Sequence, residues 1–382
     1  MPKLTLYQLH AIAGGRLRLA TLGPRDGEWS GLGRVCTDSR RLQPGEVFWA
    51  LQGPVHDGGT FVESAFARGA SGVVAAKDVQ PWPGCWALQV DDGREALYQL
   101  ARWHRDQFHG RLIMVGGVAG TATTRRLIAT VLGSRFAGTC FPQRNHRLDS
   151  AALGMLGLEP THDFAVTGLN LSAPGDAVSL VAECGPAIGV ITNVTRARAA
   201  NTHSSVLHDA AVQLLTHLPQ DGHAVLCGDD PGIRAAAEHC TVPITWVGES
   251  SNCDLIATRV LSTEGRLSCV VDGQTFHVAC WGRHQLTSVL CAIGVGRAFG
   301  LSMQQIAVAL EGFDSPPPHF DAISVAETAP SAAIAAPIAA PAIIKFQPLS
   351  PGRGVIARRV RPKANPFLRF DPAHRFAMGR AA

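Results

Sequence analysis

The stretch with the clearest capacity for chemistry is residues 111–132, RLIMVGGVAGTATTRRLIATVL. Gly116, Gly117 and Gly120 follow an apolar run at 112–115, and Leu127, Ile128, Val131 and Leu132 then recur at helical spacing. A strand, a glycine turn and a helix N-terminus form a cradle for phosphate. The glycines let backbone N–H groups approach the anion, and the helix start favours negative charge. A working cradle also places a lysine after the last glycine and a hydroxyl residue beside it for Mg²⁺. Here Thr121 and Ala122 take those positions, with Thr123 and Thr124 offering hydroxyls just beyond. The scaffold of a nucleotide site is written without its principal charge, and the same three glycines also suit a purely structural turn. A second polar group, Asp38-Ser39-Arg40, falls in an expected loop. Its hydroxyl and guanidinium suit a phosphate-bearing ligand, and the same three residues suit the cap of a turn.

The elements that must position these groups alternate between strand and helix. Residues 3–20 read as a short strand, a helix and a Gly14-Gly15 stop. Residues 47–51 read as a strand after the Pro44-Gly45 turn, and residues 61–67 as a helix ending at Gly69. An amphipathic helix is expected over 94–108, a strand over 187–194 and a further amphipathic helix over 301–313. The 382 residues suffice for two or three domains, and 46% hydrophobic against 17% charged residues indicates a largely globular chain. A formal net charge of +4, with much of the basic excess near the C-terminal end, does not indicate a nucleic-acid-binding body. No signal peptide is visible in MPKLTLYQLHAIAGG, and no apolar run reaches the roughly 20 residues of a membrane span. The ten cysteines are scattered with no CxxC pair, which reads as reduced thiols in a cytoplasmic protein.

Residues 35–76 carry Thr37-Asp38-Ser39-Arg40, Pro44-Gly45, Phe48, Ala50-Leu51, Gly53, Asp57-Gly58, Phe61, Ala65 and Gly69-Ala70. This ordered set resembles the N-terminal domain of the Mur ligases, the ATP-dependent amide-forming enzymes that build the peptide of peptidoglycan precursors. The opening LTLYQLHAIAGGRL looks most like the branch that adds D-alanyl-D-alanine to the UDP-N-acetylmuramoyl tripeptide, and the branch adding the third residue shares much of the pattern. The resemblance implies a sugar-nucleotide domain at 1–108, in which Ser39 and Arg40 contact the uridine diphosphate. It further implies a central ATPase domain at 109–320. There Gly117, Gly120, Thr121, Ala122, Thr123, Asn193 and His284 line a degenerate nucleotide site.

Four positions depart from the family's phosphate and metal chemistry. Thr121 stands for the loop lysine and Gly168 for a metal-binding glutamate. Arg198 stands for a metal-site histidine, with His203 nearby, and Ala211 for the lysine that is carbamylated to complete the site. The asparagine-rich stretch becomes Gln143-Arg144-Asn145-His146-Arg147, and the later asparagines become Gln285 and Ser288. The family uses ATP and Mg²⁺; with these losses no cofactor, no catalytic residue and no metal ligand is expected here.

Beyond Pro316-Pro317-Pro318 the family's third domain is replaced by an Ala/Pro-rich stretch and a basic end with Arg358, Arg359, Arg361, Lys363, Arg369 and Arg375. Residues 321–382 therefore read as a disordered tail, able to meet an acidic partner. The expected fold is α/β: a small N-terminal α/β domain, a mostly parallel-sheet, P-loop-like ATPase domain, and the tail. The expected function is a non-catalytic relative that binds a UDP-muramoyl precursor or an envelope-synthesis protein. An active ligase with a rearranged site and a structural adaptor acting through its tail are the alternatives.

Overall fold

The computed structural model describes residues 4–20, 32–53, 57–141, 148–169, 171, 185–195 and 204–314. The segment 143–147, Arg198, His203 and the tail 321–382 lie outside the described residues. Three sheets of five, seven and three strands organise the rest.

Helix α1 (Leu6–Ala13) opens on a reciprocal cap. The Thr5 hydroxyl accepts from the Gln8 N–H at 3.2 Å while the Gln8 side chain accepts from the Thr5 N–H at 2.9 Å. The strand expected before this helix follows it instead, as β1 (Arg16–Leu19). Thr5 is spent as the cap, whereas Arg16, Leu17, Arg18 and Leu19 alternate with the two-residue period of a strand. β2 (Val35–Cys36), β3 (Val47–Trp49), α2 (Val62–Ala67), β4 (Gly72–Ala75) and β5 (Trp86–Gln89) complete the first unit. The sheet order is β1-β5-β4-β3-β2, antiparallel only at β1. Helix α3 (Gly93–Asp106) starts where Asp92 accepts from the Arg94 and Glu95 N–H groups at 2.7 and 3.2 Å. Trp49 Nε1 donates to the Gly93 carbonyl at 2.6 Å and fastens that start to β3. Leu97 and Leu100 of α3 lie in one apolar core with Leu9, Leu88, Leu112 and Met155, so the helix links this sheet to the next.

The second sheet is parallel throughout, in the order β12-β11-β10-β9-β6-β8-β7. Its elements are β6 (Arg111–Gly116), α4 (Thr121–Gly133), β7 (Gly138–Cys140), α5 (Leu148–Met155), β8 (Phe164–Leu169) and β9 (Ile188–Ile191). They continue with α6 (Ser204–Thr216), β10 (His223–Cys227), α7 (Pro231–Ala236), β11 (Ile244–Gly248) and β12 (Leu255–Ile256). Leu112, Ile113, Met114 and Val115 are all fully buried, the unbroken apolar run of a strand covered on both faces. β6 lies between β8 and β9. The chain leaves β6 towards β7 and β8 and later returns on the opposite side as β9. Such a reversal opens a crevice at the carboxyl ends of the strands.

The third sheet, an antiparallel meander of β13 (Thr258–Thr263), β14 (Arg266–Val271) and β15 (Gln274–Val278), is absent from the sequence reading. Its second turn uses Asp272 and Gly273 at φ 48° and 77°, the Asp-Gly conformation that closes a tight hairpin. Helix α8 (Leu286–Ala298) is buried from Leu286 and from Ser288 through Gly296, apolar on every side rather than amphipathic. Gly294 and Gly296 let it approach Val225 of β10 and Val131 of α4; a Cβ at either position would sit under 3 Å from a valine methyl. Helix α9 (Met303–Glu311), capped by Ser302, ends the described chain.

Candidate active site

The glycine loop occupies the crevice between the ends of β6 and β9. Gly120, at φ 78°, adopts the left-handed conformation that turns the chain into α4, and no side chain caps that helix start. Gly117 admits no side chain, since a Cβ there would collide with Thr192 Oγ1. Asn193, one residue further on, holds the loop from the neighbouring strand. Its Oδ1 accepts from the Val118 and Ala119 N–H groups at 3.0 Å each, and its Nδ2 donates to the Ala119 carbonyl at 3.0 Å. Thr192 Oγ1 adds a bond to the same carbonyl at 3.2 Å. Ser288, near the start of α8, puts its Oγ 3.1 Å from the place a Gly120 Cβ would take, and donates to Gln285 Oε1 at 3.3 Å.

Among the described residues, the loop from Gly116 to Thr124 carries no charged side chain. Arg125 and Arg126, the first cations on α4, turn away from the loop. Arg125 is buried and donates to the Phe141 carbonyl at 2.7 Å, and its burial pushes its pKa down. Arg126 donates to the Asp314 carbonyl at 2.8 Å and lies over the Phe313 ring at 5.2 Å. Gly168 sits near the carboxyl end of β8, opposite Val115 of β6, at the right edge of the sheet but with no side chain to offer. Ala211 is fully buried on α6, in the apolar core. Among the described residues no group of three or more His, Cys, Asp or Glu side chains is placed to hold a metal ion.

Gly117, Gly120, Thr121, Ala122, Thr123 and Asn193 thus come together at one crevice, with Gln285 and Ser288 of the following segment. His284 lies exposed in the 3-10 turn at 283–285, its ring nitrogen 3.1 Å from the Gln285 amide. Ser39 and Arg40 belong to the first sheet, beyond β2. Ser39 is buried, and Arg40 folds back so that Nε and Nη2 each reach an Asp38 oxygen at 2.9 Å. That bond holds the Asp38 carboxyl below its usual range. Asp38 also accepts from the Arg40 N–H at 3.1 Å, which is the geometry of a capped turn. The Arg40 side chain is still 84% exposed, so its outer face remains open to solvent.

One residue missed in the sequence does more structural work at this edge than any of these. Asp230 is 6% exposed, and its two oxygens accept from four backbone N–H groups: Val194 at 2.9 Å, Thr195 at 3.1 Å, Gly232 at 2.9 Å and Ile233 at 3.4 Å. The first two tie the exit of β9, and with it Asn193, to the start of α7. An aspartate directly before Pro-Gly at a helix start is a local capping signal. Asp230→Asn keeps one acceptor and turns a donor towards the other pair of N–H groups. It is expected to cost about 2 kcal/mol, read as a lower urea midpoint at unchanged slope.

Comparison with known proteins places this geometry. Residues 115–296 match the model of the Mur ligase middle domain. The chain is 30% identical over 278 residues to the UDP-N-acetylmuramoyl-tripeptide–D-alanyl-D-alanine ligase of Synechocystis, covering 72% of this chain and 60% of that protein. The same enzyme of Bacillus subtilis is 29% identical over 286 residues, covering 73% and 61%. The crystal structure of MurF from Acinetobacter baumannii superposes with a TM-score of 0.73 at 21% identity, covering 83% of this chain and 70% of that one. The chain therefore spans about 60% of the length of these curated relatives. Residues 115–296 form a Mur ligase middle domain.

Proposed function

We propose that this chain is a non-catalytic member of the family that binds a UDP-muramoyl peptide precursor without ligating it. The observation that carries this reading is the charge at the loop. Thr121 takes the lysine's place, and the two nearest cations of α4 are tied to Phe141 and Asp314. Phosphoryl transfer depends on positioning and charge stabilisation, so a cradle of neutral donors lacks the larger part of the catalytic effect. Gly168 and Ala211 offer no ligand for a metal that would supply the charge instead. The precursor class comes from the relatives, named as ligases of that tripeptide, and from Arg40, whose guanidinium is held by Asp38 on one edge and keeps its other edge exposed to meet a phosphate oxygen.

The test has two arms on one preparation. Expected are no ATP consumption dependent on tripeptide precursor plus D-alanyl-D-alanine, and calorimetric binding of the precursor that weakens about tenfold in Arg40→Ala. Ligation by the wild type that disappears in Gly120→Val would establish the competing reading, an active ligase with a rearranged site. Absence of both turnover and precursor binding would remove the precursor from the proposal.

A further inference from the structure

We infer that Asn193 is the positioning residue of the glycine loop, an internal ligand that holds the loop in its cradle shape whether or not an anion is bound. This differs from a direct nucleotide contact, and it does not depend on whether the chain catalyses a reaction.

The argument starts from what the loop lacks. A turn of glycines and small residues has no side chains with which to hold its own shape, and glycine loses the most conformational freedom on ordering. In a working phosphate loop the anion itself satisfies converging N–H groups. Here the Val118 and Ala119 N–H groups converge on one atom of the protein, Asn193 Oδ1, at 3.0 Å each. The Val118 N–H is shared with the Asn193 main-chain carbonyl at 3.2 Å. The amide's other end completes a ring, with Nδ2 donating to the Ala119 carbonyl at 3.0 Å and to Thr192 Oγ1 at 3.3 Å. A carboxamide accepts through its oxygen and donates through its nitrogen in a single plane, which matches this peptide edge. Alanine does neither, aspartate accepts without donating, and serine is too short to span both N–H groups.

Asn193 is itself fixed from behind. The Thr192 N–H donates to the Gly116 carbonyl at 3.0 Å, and Asp230 grips the next two N–H groups along the chain. The clamp thus runs from α7 through the end of β9 into the loop. It acts on the first half of the turn, Val118 and Ala119. The second half, from Gly120 into α4, is left oriented by it. Asn193 therefore sets the direction of the α4 start without touching whatever meets it.

Amide hydrogen exchange on the full chain tests this at the two clamped residues. In Asn193→Ala, protection of the Val118 and Ala119 amides is expected to fall at least tenfold while that of Ile113 and Met114 in β6 changes less than about twofold. Asn193→Asp should restore part of the protection at Val118 and Ala119, since its carboxylate accepts from both but cannot donate to the Ala119 carbonyl, and Asn193→Ser should not. Unchanged protection in Asn193→Ala would overturn the inference, because the main chain would then suffice to hold the loop. Equal loss in the alanine and aspartate variants would also overturn it, because the acceptor atom would then not be the cause. A fall that includes the β6 amides to the same extent would mark a general structural role and count against a specific positioning one.

Discussion

Acidification from pH 7 to pH 4 is expected to remove about 2 kcal/mol of stability through one side chain, His104. It lies on the buried face of α3, 4% exposed, and burial pushes its pKa down to about 4 from the ordinary 6.5, with the Met155 backbone opposing the shift. In the unfolded chain the imidazole takes up its proton near 6.5; in the folded chain it does so only near 4. Between those values the unfolded state binds more protons, so stability rises with pH there. The contribution is complete above 6.5 and is lost as pH falls towards 4. The full shift corresponds to roughly 3 kcal/mol, and relaxation of the structure around the protonated ring lowers this to about 2. His104→Leu removes the titration while keeping an apolar filling of similar size. The measurement is the urea midpoint at pH 7 and pH 4.5 for both proteins. The variant should lose clearly less between the two pH values. Equal losses would mean that the carboxylates, among them Asp38 and Asp229 with their lowered pKa values, account for the whole acid sensitivity.

The second large effect is a gain. Thr121→Lys with Ala122→Thr should tighten ATP binding at least tenfold over the wild type. The uncapped α4 start already supplies backbone donors, and the lysine adds the missing charge at close range. Binding should depend only weakly on Mg²⁺, since the hydroxyl introduced at position 122 is a single ligand and Gly168 and Ala211 still provide none. Turnover should stay absent. Titration of both proteins with ATP in the two conditions decides this. Equal weak binding throughout would show that the turn no longer has the geometry of a cradle. A gain that requires Mg²⁺ would show that metal ligands exist among residues assigned none here.

Both predictions draw on features of unequal legibility. The strand-loop-helix at 111–133 could be read directly because each part carries a local mark: an apolar run, glycines, then helical spacing. Helices α3 and α9 followed from their periodicity. Helix α8 carries no such mark and begins at Leu286, after the 3-10 turn at 283–285. A helix buried on every side has no polar stripe to mark its phase, and Gly282 with the 3-10 turn delays its start. The meander was missed although its signal is local, with Leu267, Cys269 and Val271 alternating ahead of Asp272-Gly273 and Phe276 and Val278 after it. The N-terminal strand was placed on the wrong side of α1 because Thr5 was not weighed as a cap. The clamp at Asn193 belongs to another category. Val118 and Asn193 meet only because β9 lies beside β6, and strand order is a property of the whole sheet that no window of sequence contains. The same holds for the hold of Asp230 on Val194 and Thr195, whereas its capping of α7 was available from Asp-Pro-Gly alone.

The place of β6 between β8 and β9 also has a consequence in time. β6 ends at Gly116, but its partners begin only at Phe164 and Ile188. At ordinary rates of synthesis, about 5–20 residues per second, this buried apolar strand is made on the order of ten seconds before both of its edges can be covered. Parallel pairing over such separations is intrinsically slow, so a nascent or refolding chain exposes a bare hydrophobic edge for longer than an antiparallel protein of the same size would. Dilution from denaturant should therefore give yields that fall steeply with protein concentration, and a chaperone that shields the chain until β9 is available should restore them.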